Sequence, residues 1–467
     1  MTARIINRNQ TLEVSQSLML LDVGQFFRAS NPARTLNVGS DEDRQYYIDF
    51  SSVRGGKLIQ QIARTITLLS PDVPTYQLFT GHIGSGKSTE LLRLKAELEH
   101  SGFHVVYFES SRDLNMADVE ITDILLAIVR QVSESIESVG IELEAKALRA
   151  ILWDMVKLSH HKMDVSGVYL AQINPSSLSL NQPFSLAEFI KKITTQARNS
   201  REVRALLRQY LEPRTSDILE IINREMITPF VEKMKHRGQG GVVIIIDNLD
   251  RIMSYQTISG RSQPEYLFID RGNQLNQLSC HVVYTIPLAL IFSNDLGQLT
   301  NQFGGDPKTL PMIPVQLQNN QLCEPGIHLL RQLVLTRAFP SLNQGNYHTL
   351  VKDVFDKIET LDRLCLMSGG HVRSLLVLLY SCLQKEDPPI SRDILEEVIL
   401  QRRSQLVLAI EPEEWVMLNQ VANTKKLSGL TDSKTLLQSL WVFEYRYRRE
   451  YWFDVNPILK EADEFNQ

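Results

Sequence analysis

Gly81-His82-Ile83-Gly84-Ser85-Gly86-Lys87-Ser88-Thr89 gathers glycines, a lysine and hydroxyls at the spacing G-x-x-x-x-G-K-S. The glycines let backbone N–H groups turn toward one point, and a helix starting there adds partial positive charge. That is chemistry for a phosphate, and the whole stretch is assigned to nucleotide binding. Lys87 is expected to reach the β- and γ-phosphates, and the Ser88 hydroxyl to hold Mg²⁺. A P-loop needs a second acidic group on the metal, and Val242-Val243-Ile244-Ile245-Ile246-Asp247 delivers one at the end of an apolar run. Asp250, three residues on, is the nearest carboxylate that could polarise an attacking water; a salt bridge or helix cap is its plainer reading. Thr285 ends another strand-like run, where its hydroxyl would meet the γ-phosphate or the water, unless it is there for β-propensity alone. Arg373 stands in the first turn of a helix after Gly369-Gly370, a geometry that can swing a guanidinium onto phosphates; otherwise it is a solvated arginine. Arg271 is a candidate arginine finger toward a neighbouring subunit.

Secondary-structure patterning places these residues. Tyr76–Thr80 reads as a strand, followed after the loop by a helical pattern in Leu91, Leu92, Leu94 and Leu98. Phe103–Phe108 and His281–Pro287 read as further strands, and Pro311–Val315 as a fifth. Upstream, 1–45 reads as an irregular arm, and a helix runs from about Lys57 to Leu69. In P-loop ATPases with a lid, a segment before the first strand often covers the base. The aromatic cluster Tyr46–Phe50 and Arg54 suit that role, or ordinary packing. The stretch 134–239 reads as a helical insertion broken at Asn174-Pro175 and Asn181-Gln182-Pro183. It puts Arg198, Arg201, Arg204 and Arg208 on one helix face, expected to be solvated, with a partner or nucleic acid as the alternative. Helices from about 325 to 383 form a lid, and 385–389 a linker. Helices near 394–408, 413–421 and 433–440 then precede an aromatic hairpin with the basic tip Arg446-Tyr447-Arg448-Arg449, the pattern of a winged helix. From 411 to 467 seven Lys and Arg stand against ten Asp and Glu, so packing on protein is favoured over reading DNA.

Composition narrows the rest. The 467 residues suffice for two to four domains, at 43% hydrophobic and 22% charged residues. A net charge of −5 makes no bulk case for nucleic acid. Cys280, Cys323, Cys365 and Cys382 have no metal-ligand spacing and fit buried thiols in a reducing cytosol. No apolar run is long enough for a membrane helix, and Arg4 and Arg8 are followed by no apolar segment of a secretion signal. The expectation is a soluble, cytoplasmic protein.

Taken together, Gly81–Thr89, Ile246-Asp247-Asn248-Leu249-Asp250-Arg251, Thr285, Gly369-Gly370-His371-Val372-Arg373 and the terminal hairpin resemble the AAA+/STAND superclass of P-loop ATPases. The aspartate string is similar to the KAP-type pattern, and the lid arginine with a winged helix to origin-recognition initiators. The resemblance implies an α/β fold: a five-stranded parallel sheet with a helical insertion, a helical lid and a C-terminal winged helix, divided as 1–45, 46–320, 321–388 and 389–467. It implies ATP and Mg²⁺ as cofactors, and slow hydrolysis that switches conformation or assembly with further copies of itself or an effector protein. Defence and signalling are settings such ATPases serve. Asn248 departs from the AAA+ pattern, which has Glu there; an amide orients water but accepts no proton at neutral pH. Two other functions stay open: a DNA-loading or transposition-type ATPase, and a scaffold that binds nucleotide without turnover. The base is taken as adenine from the resemblance alone.

Overall fold

The computed structural model describes residues 21–163, 185–257, 260–340, 347–427 and 433–466. The two expected breaks at Asn174-Pro175 and Asn181–Pro183 lie outside these, as does most of the arm before residue 21. Five strands, β1 (Tyr76–Gly81), β2 (His104–Glu109), β3 (Val242–Asp247), β4 (His281–Thr285) and β5 (Lys308–Leu310), form one sheet in the order β2-β3-β4-β1-β5. All four pairings are parallel. The fifth strand falls at 308–310, not at the expected 311–315, because Pro311 has no N–H to give the ladder.

The strands read as unbroken apolar runs because both sheet faces are covered. Along β3, Val242, Ile244 and Ile246 enter the core under the helices of 121–236 and 267–303. Val243 and Ile245 point the other way, onto Ile59, Ile62, Leu91 and Leu94 of the helices Leu58–Arg64 and Lys87–His100. The segment read as an insertion therefore packs with the helices of 121–138 and 267–303 in one layer of an α/β/α sandwich. The four arginines do not share one helix, which breaks at Ser200: Arg198 and Arg201 are exposed, while Arg204 and Arg208 turn inward. Arg204 and Arg208 bond Asp118 at 3.1 and 2.6 Å, Arg208 also pairs with Asp123, and Arg198 donates to the Arg112 carbonyl.

The lid helices Glu324–Ala338, Ile358–Met367 and Val372–Leu383 share a core with Phe26, Phe50 and Val53 from the arm region. Helix Arg392–Val407, expected in the terminal domain, also buries Leu395, Val398 and Ile399 in that core. Beyond it come helices Pro412–Thr424 and Ser433–Gln438 and an antiparallel hairpin, β6 (Val442–Tyr447) and β7 (Glu450–Val455). Lys425 and Asp454 pair inside this module at 2.8 Å. The module lies against the sandwich. The Met312 N–H donates to the Glu444 carbonyl at 2.9 Å, and Lys434 pairs with Glu265 at 3.0 Å. The four cysteines are free and buried, and no helix among the described residues is long and apolar enough to cross a membrane.

Candidate nucleotide-binding site

β1 ends at Gly81, and the loop turns into the helix Lys87–His100 through Gly84 at φ 87° and Gly86 at φ 101°, the left-handed region that glycine enters without strain. No side chain caps this helix, so its first N–H groups remain open to a ligand. The Lys87 ammonium is buried and held by three acceptors: the Gly81 and His82 carbonyls at 2.8 Å each and Asp250 Oδ2 at 2.9 Å. Asp250 Oδ1 is buried with no partner among the described residues. This carboxylate thus has one oxygen on the lysine and one unspent.

Asp247 is fully buried at the end of β3. Its Oδ2 accepts from the Tyr107 hydroxyl at 2.8 Å and its Oδ1 from the Asn248 N–H at 2.7 Å. Burial pushes its pKa up, while hydrogen bonds from Ser88, Tyr107 and Asn248 pull it back toward ionisation. Ser88 and Asp247 are thus neighbours, as a shared metal requires. No group of three or more His, Cys, Asp or Glu among the described residues makes a metal cage. One carboxylate and one hydroxyl suit Mg²⁺, which keeps waters and takes its other ligands from phosphates. Tyr107 was not legible as part of this site: in sequence it is one aromatic in a strand.

Thr285 is corrected by the geometry. Its hydroxyl donates to the Ile246 carbonyl at 3.1 Å and accepts the Leu249 N–H at 2.9 Å, so it braces the turn after β3 and its one proton is not free for a phosphate. Asn248 enters that turn at φ 68°. Arg54 is also displaced from its expected role. It is buried behind the loop, donating to the Pro311 carbonyl at 2.8 Å and to the Ser85 carbonyl, so it supports the loop from the far side. Arg271 is engaged within its own chain, with Glu212 and with the Tyr266 hydroxyl at 2.8 Å, and is not a projecting finger.

The cavity is lined at its phosphate end by Ile83, Gly84, Gly86, Lys87, Ser88 and Thr89, with Asp250 and Arg251 from the turn after β3 and Arg373 from the lid. Gly81, His82 and Ser85 of the motif face elsewhere. The other end is lined by Pro32–Leu36, Arg337 and Leu376. The aromatic cluster expected to cover a base is instead packed away, with Tyr46 beneath the Arg34 and Arg337 guanidiniums and the Tyr47 hydroxyl 3.2 Å from Glu90 Oε1. Arg337 Nε is buried without a partner among the described residues, and burial lowers this guanidinium to about 10. In sequence 1–45 reads as an irregular arm, and nothing local joins Pro32–Leu36 to an arginine some 300 residues away.

The rim of the loop is stitched to the lid and to β6. His371 Nε2 donates to the Ile83 carbonyl at 2.8 Å, and the Arg373 N–H to the Gly84 carbonyl at 3.2 Å. His82 Nε2 accepts the Glu444 N–H at 3.0 Å, and Phe443 packs on both imidazoles with centroids 5.9 and 5.8 Å away. Burial, first of all, drops both histidines to about 3, so both rings are neutral and their donor and acceptor roles are fixed. A Cβ on Gly84 would stand 2.6 Å from His371 Nε2, so only glycine lets the lid come this close.

No protein-family model matches the sequence, and no curated protein does. Among solved structures, the chain is similar to the Aeropyrum pernix ORC2 protein in its ADPNP–ADP complexes, with TM-score 0.42 and 13% identity over 93% of this chain and 96% of that one. It is similar to the Aeropyrum pernix ORC1 protein in complex with DNA (TM-score 0.35, 14% identity, 88% and 92% covered). A third is the Cdc6p of Pyrobaculum aerophilum (TM-score 0.35, 12% identity, 91% and 97% covered). These likenesses run nearly end to end and assign no residue a role. It is the strand order and the glycine loop between β1 and the helix Lys87–His100 that give the chain a P-loop NTPase fold.

Proposed function

We propose that this chain is an ATP- and Mg²⁺-dependent regulatory ATPase whose nucleotide state is passed to the lid and the C-terminal module. The observation that carries the reading is the convergence of Lys87, Ser88, Asp247 and Asp250 at the mouth of an uncapped helix. Lys87 and Arg373 neutralise phosphate charge. Ser88 and Asp247 hold the metal, which supplies charge neutralisation and orientation of the phosphates. Asp250 orients the water, taking the place of the glutamate absent at Asn248, and Thr285 and Tyr107 keep the two aspartates in position. The base lies against Pro32–Leu36 and Leu376. The stitches from His82 and His371 support a switch, since a loop that moves on binding phosphate must move Phe443 with it. That movement would alter a surface for assembly with copies of the chain or with an effector.

The test is phosphate release by wild type, Lys87→Ala and Asp250→Asn, with mass photometry in ATP and in ADP. Turnover by wild type, its loss in both variants and a heavier species in ATP are expected. Nucleotide binding without turnover or mass change would reduce the site to a structural ligand pocket. A second reading is favoured by the exposed tip Arg446, Arg448 and Arg449, which suits nucleic-acid phosphate. Against it, Lys434, the lysine of the expected recognition helix, is spent on Glu265. Binding to duplex DNA that weakens steeply with salt would raise this reading; no binding at low salt removes it.

A further inference from the structure

Arg251 ends the turn Leu249–Arg251 that follows the aspartate strand, and its N–H is fixed on the Asn248 carbonyl at 3.1 Å. Its backbone is therefore set by the same turn that Thr285 braces and that carries Asp250. The side chain is exposed, lines the cavity, and has no ion pair or hydrogen bond among the described residues. Arg28, Arg64, Arg201 and Arg449 also lack one among the described residues, but none of them lines the cavity. Arg373 faces it from the lid, likewise without a side-chain partner among the described residues. The two cations repel: besides burial, Arg251 is what lowers the basicity of Arg373, with Asp250 pulling the other way. Asp250 relieves this only in part, since one of its oxygens is on Lys87, and Asp247 is held by Tyr107 and Asn248. The cavity thus has a core cation and a lid cation facing each other beside a carboxylate already shared with Lys87.

We propose that Arg251 is a phosphate-contacting residue of this site, supplied in cis, which with Arg373 distinguishes a nucleoside triphosphate from a diphosphate. The inference rests on the nucleotide-site reading and adds to it the residue that senses the terminal phosphate. A terminal phosphate brings about two negative charges to the gap and lets both guanidiniums close on it. A diphosphate leaves the repulsion between core and lid in place. No arginine from a second copy is needed for this charge to be met.

The experiment displaces a fluorescent nucleotide with ADP and with ATPγS, in Mg²⁺, from wild type, Arg251→Ala, Arg251→Lys and Arg373→Ala. A charge-assisted contact predicts that wild type prefers ATPγS by about tenfold or more. Arg251→Ala should lose that preference while its ADP affinity and melting temperature hold, and Arg251→Lys should keep part of it. Single-turnover hydrolysis per molecule should not change with protein concentration. A preference that survives Arg251→Ala overturns the inference and leaves the nucleotide site standing, as does a rate per molecule that climbs with concentration. Wild type that binds neither nucleotide overturns both.

Discussion

Thr285 and Tyr107 each bring one hydroxyl, and both are spent on the aspartate strand. Replacing Tyr107 with Phe removes a donor from Asp247, so its carboxyl becomes less acidic. The acid limb of the hydrolysis pH profile should then move to higher pH and the Mg²⁺ requirement should rise several-fold, with little change in melting temperature. Thr285→Val separates two roles. As a brace, it leaves the buried Leu249 N–H unpaired and should cost about 1–3 kcal/mol of stability along with turnover. A residue touching only phosphate would lose turnover and melt normally. The motif Gly81–Thr89 and Asp247 were legible because their chemistry is written in neighbouring residues. Tyr107, Arg337 and the true use of Thr285 were not, because each acts through a strand or helix far off in the chain.

At the scale of elements, the lid depends on how close its glycine turn comes to the segment after β5. A Cβ on Gly370 would sit 1.7 Å from the Ile313 carbonyl oxygen, at φ 72°. Gly370→Ala should cost about 3 kcal/mol and weaken nucleotide binding with it. Gly238→Ala is the control, with φ 84° but no atom within 4 Å; it should cost about 1 kcal/mol and leave binding intact. In β6, burial raises the Glu444 carboxyl from 4.5 to about 7, against the pull of Arg446. A folded value above the unfolded one means that ionisation costs stability as pH rises from 4.5 to 7, with the full cost above that. Glu444→Gln should therefore raise the melting temperature at pH 8, by about 3 kcal/mol in stability, and the gain should vanish below about pH 4. The strands were readable because burial on both faces leaves continuous apolar runs. Residue spacing also predicts a helix over about 264–278; the chain is helical over 263–270 and again over Gly272–Leu275, interrupted at Arg271. Gly272 lies against Gln302 and Phe303 there, a tertiary contact without a local mark.

Across the whole molecule, the C-terminal module is bound to the loop that begins the phosphate site. Phe443 lies outside the cavity, yet Phe443→Ala should weaken ADP binding several-fold and speed hydrogen exchange at residues 82–84, because it loosens His82 and His371 together. Unchanged exchange there would mean that the two imidazoles hold the loop unaided. The Met312–Glu444 hydrogen bond has a further consequence, which concerns solubility. β5 is a border strand, and the backbone just past it is met by β6 of the same chain. A chain cut short before residue 442 would present that border bare, with Met312 and Ile313 beside it, to any other copy bearing the same bare border.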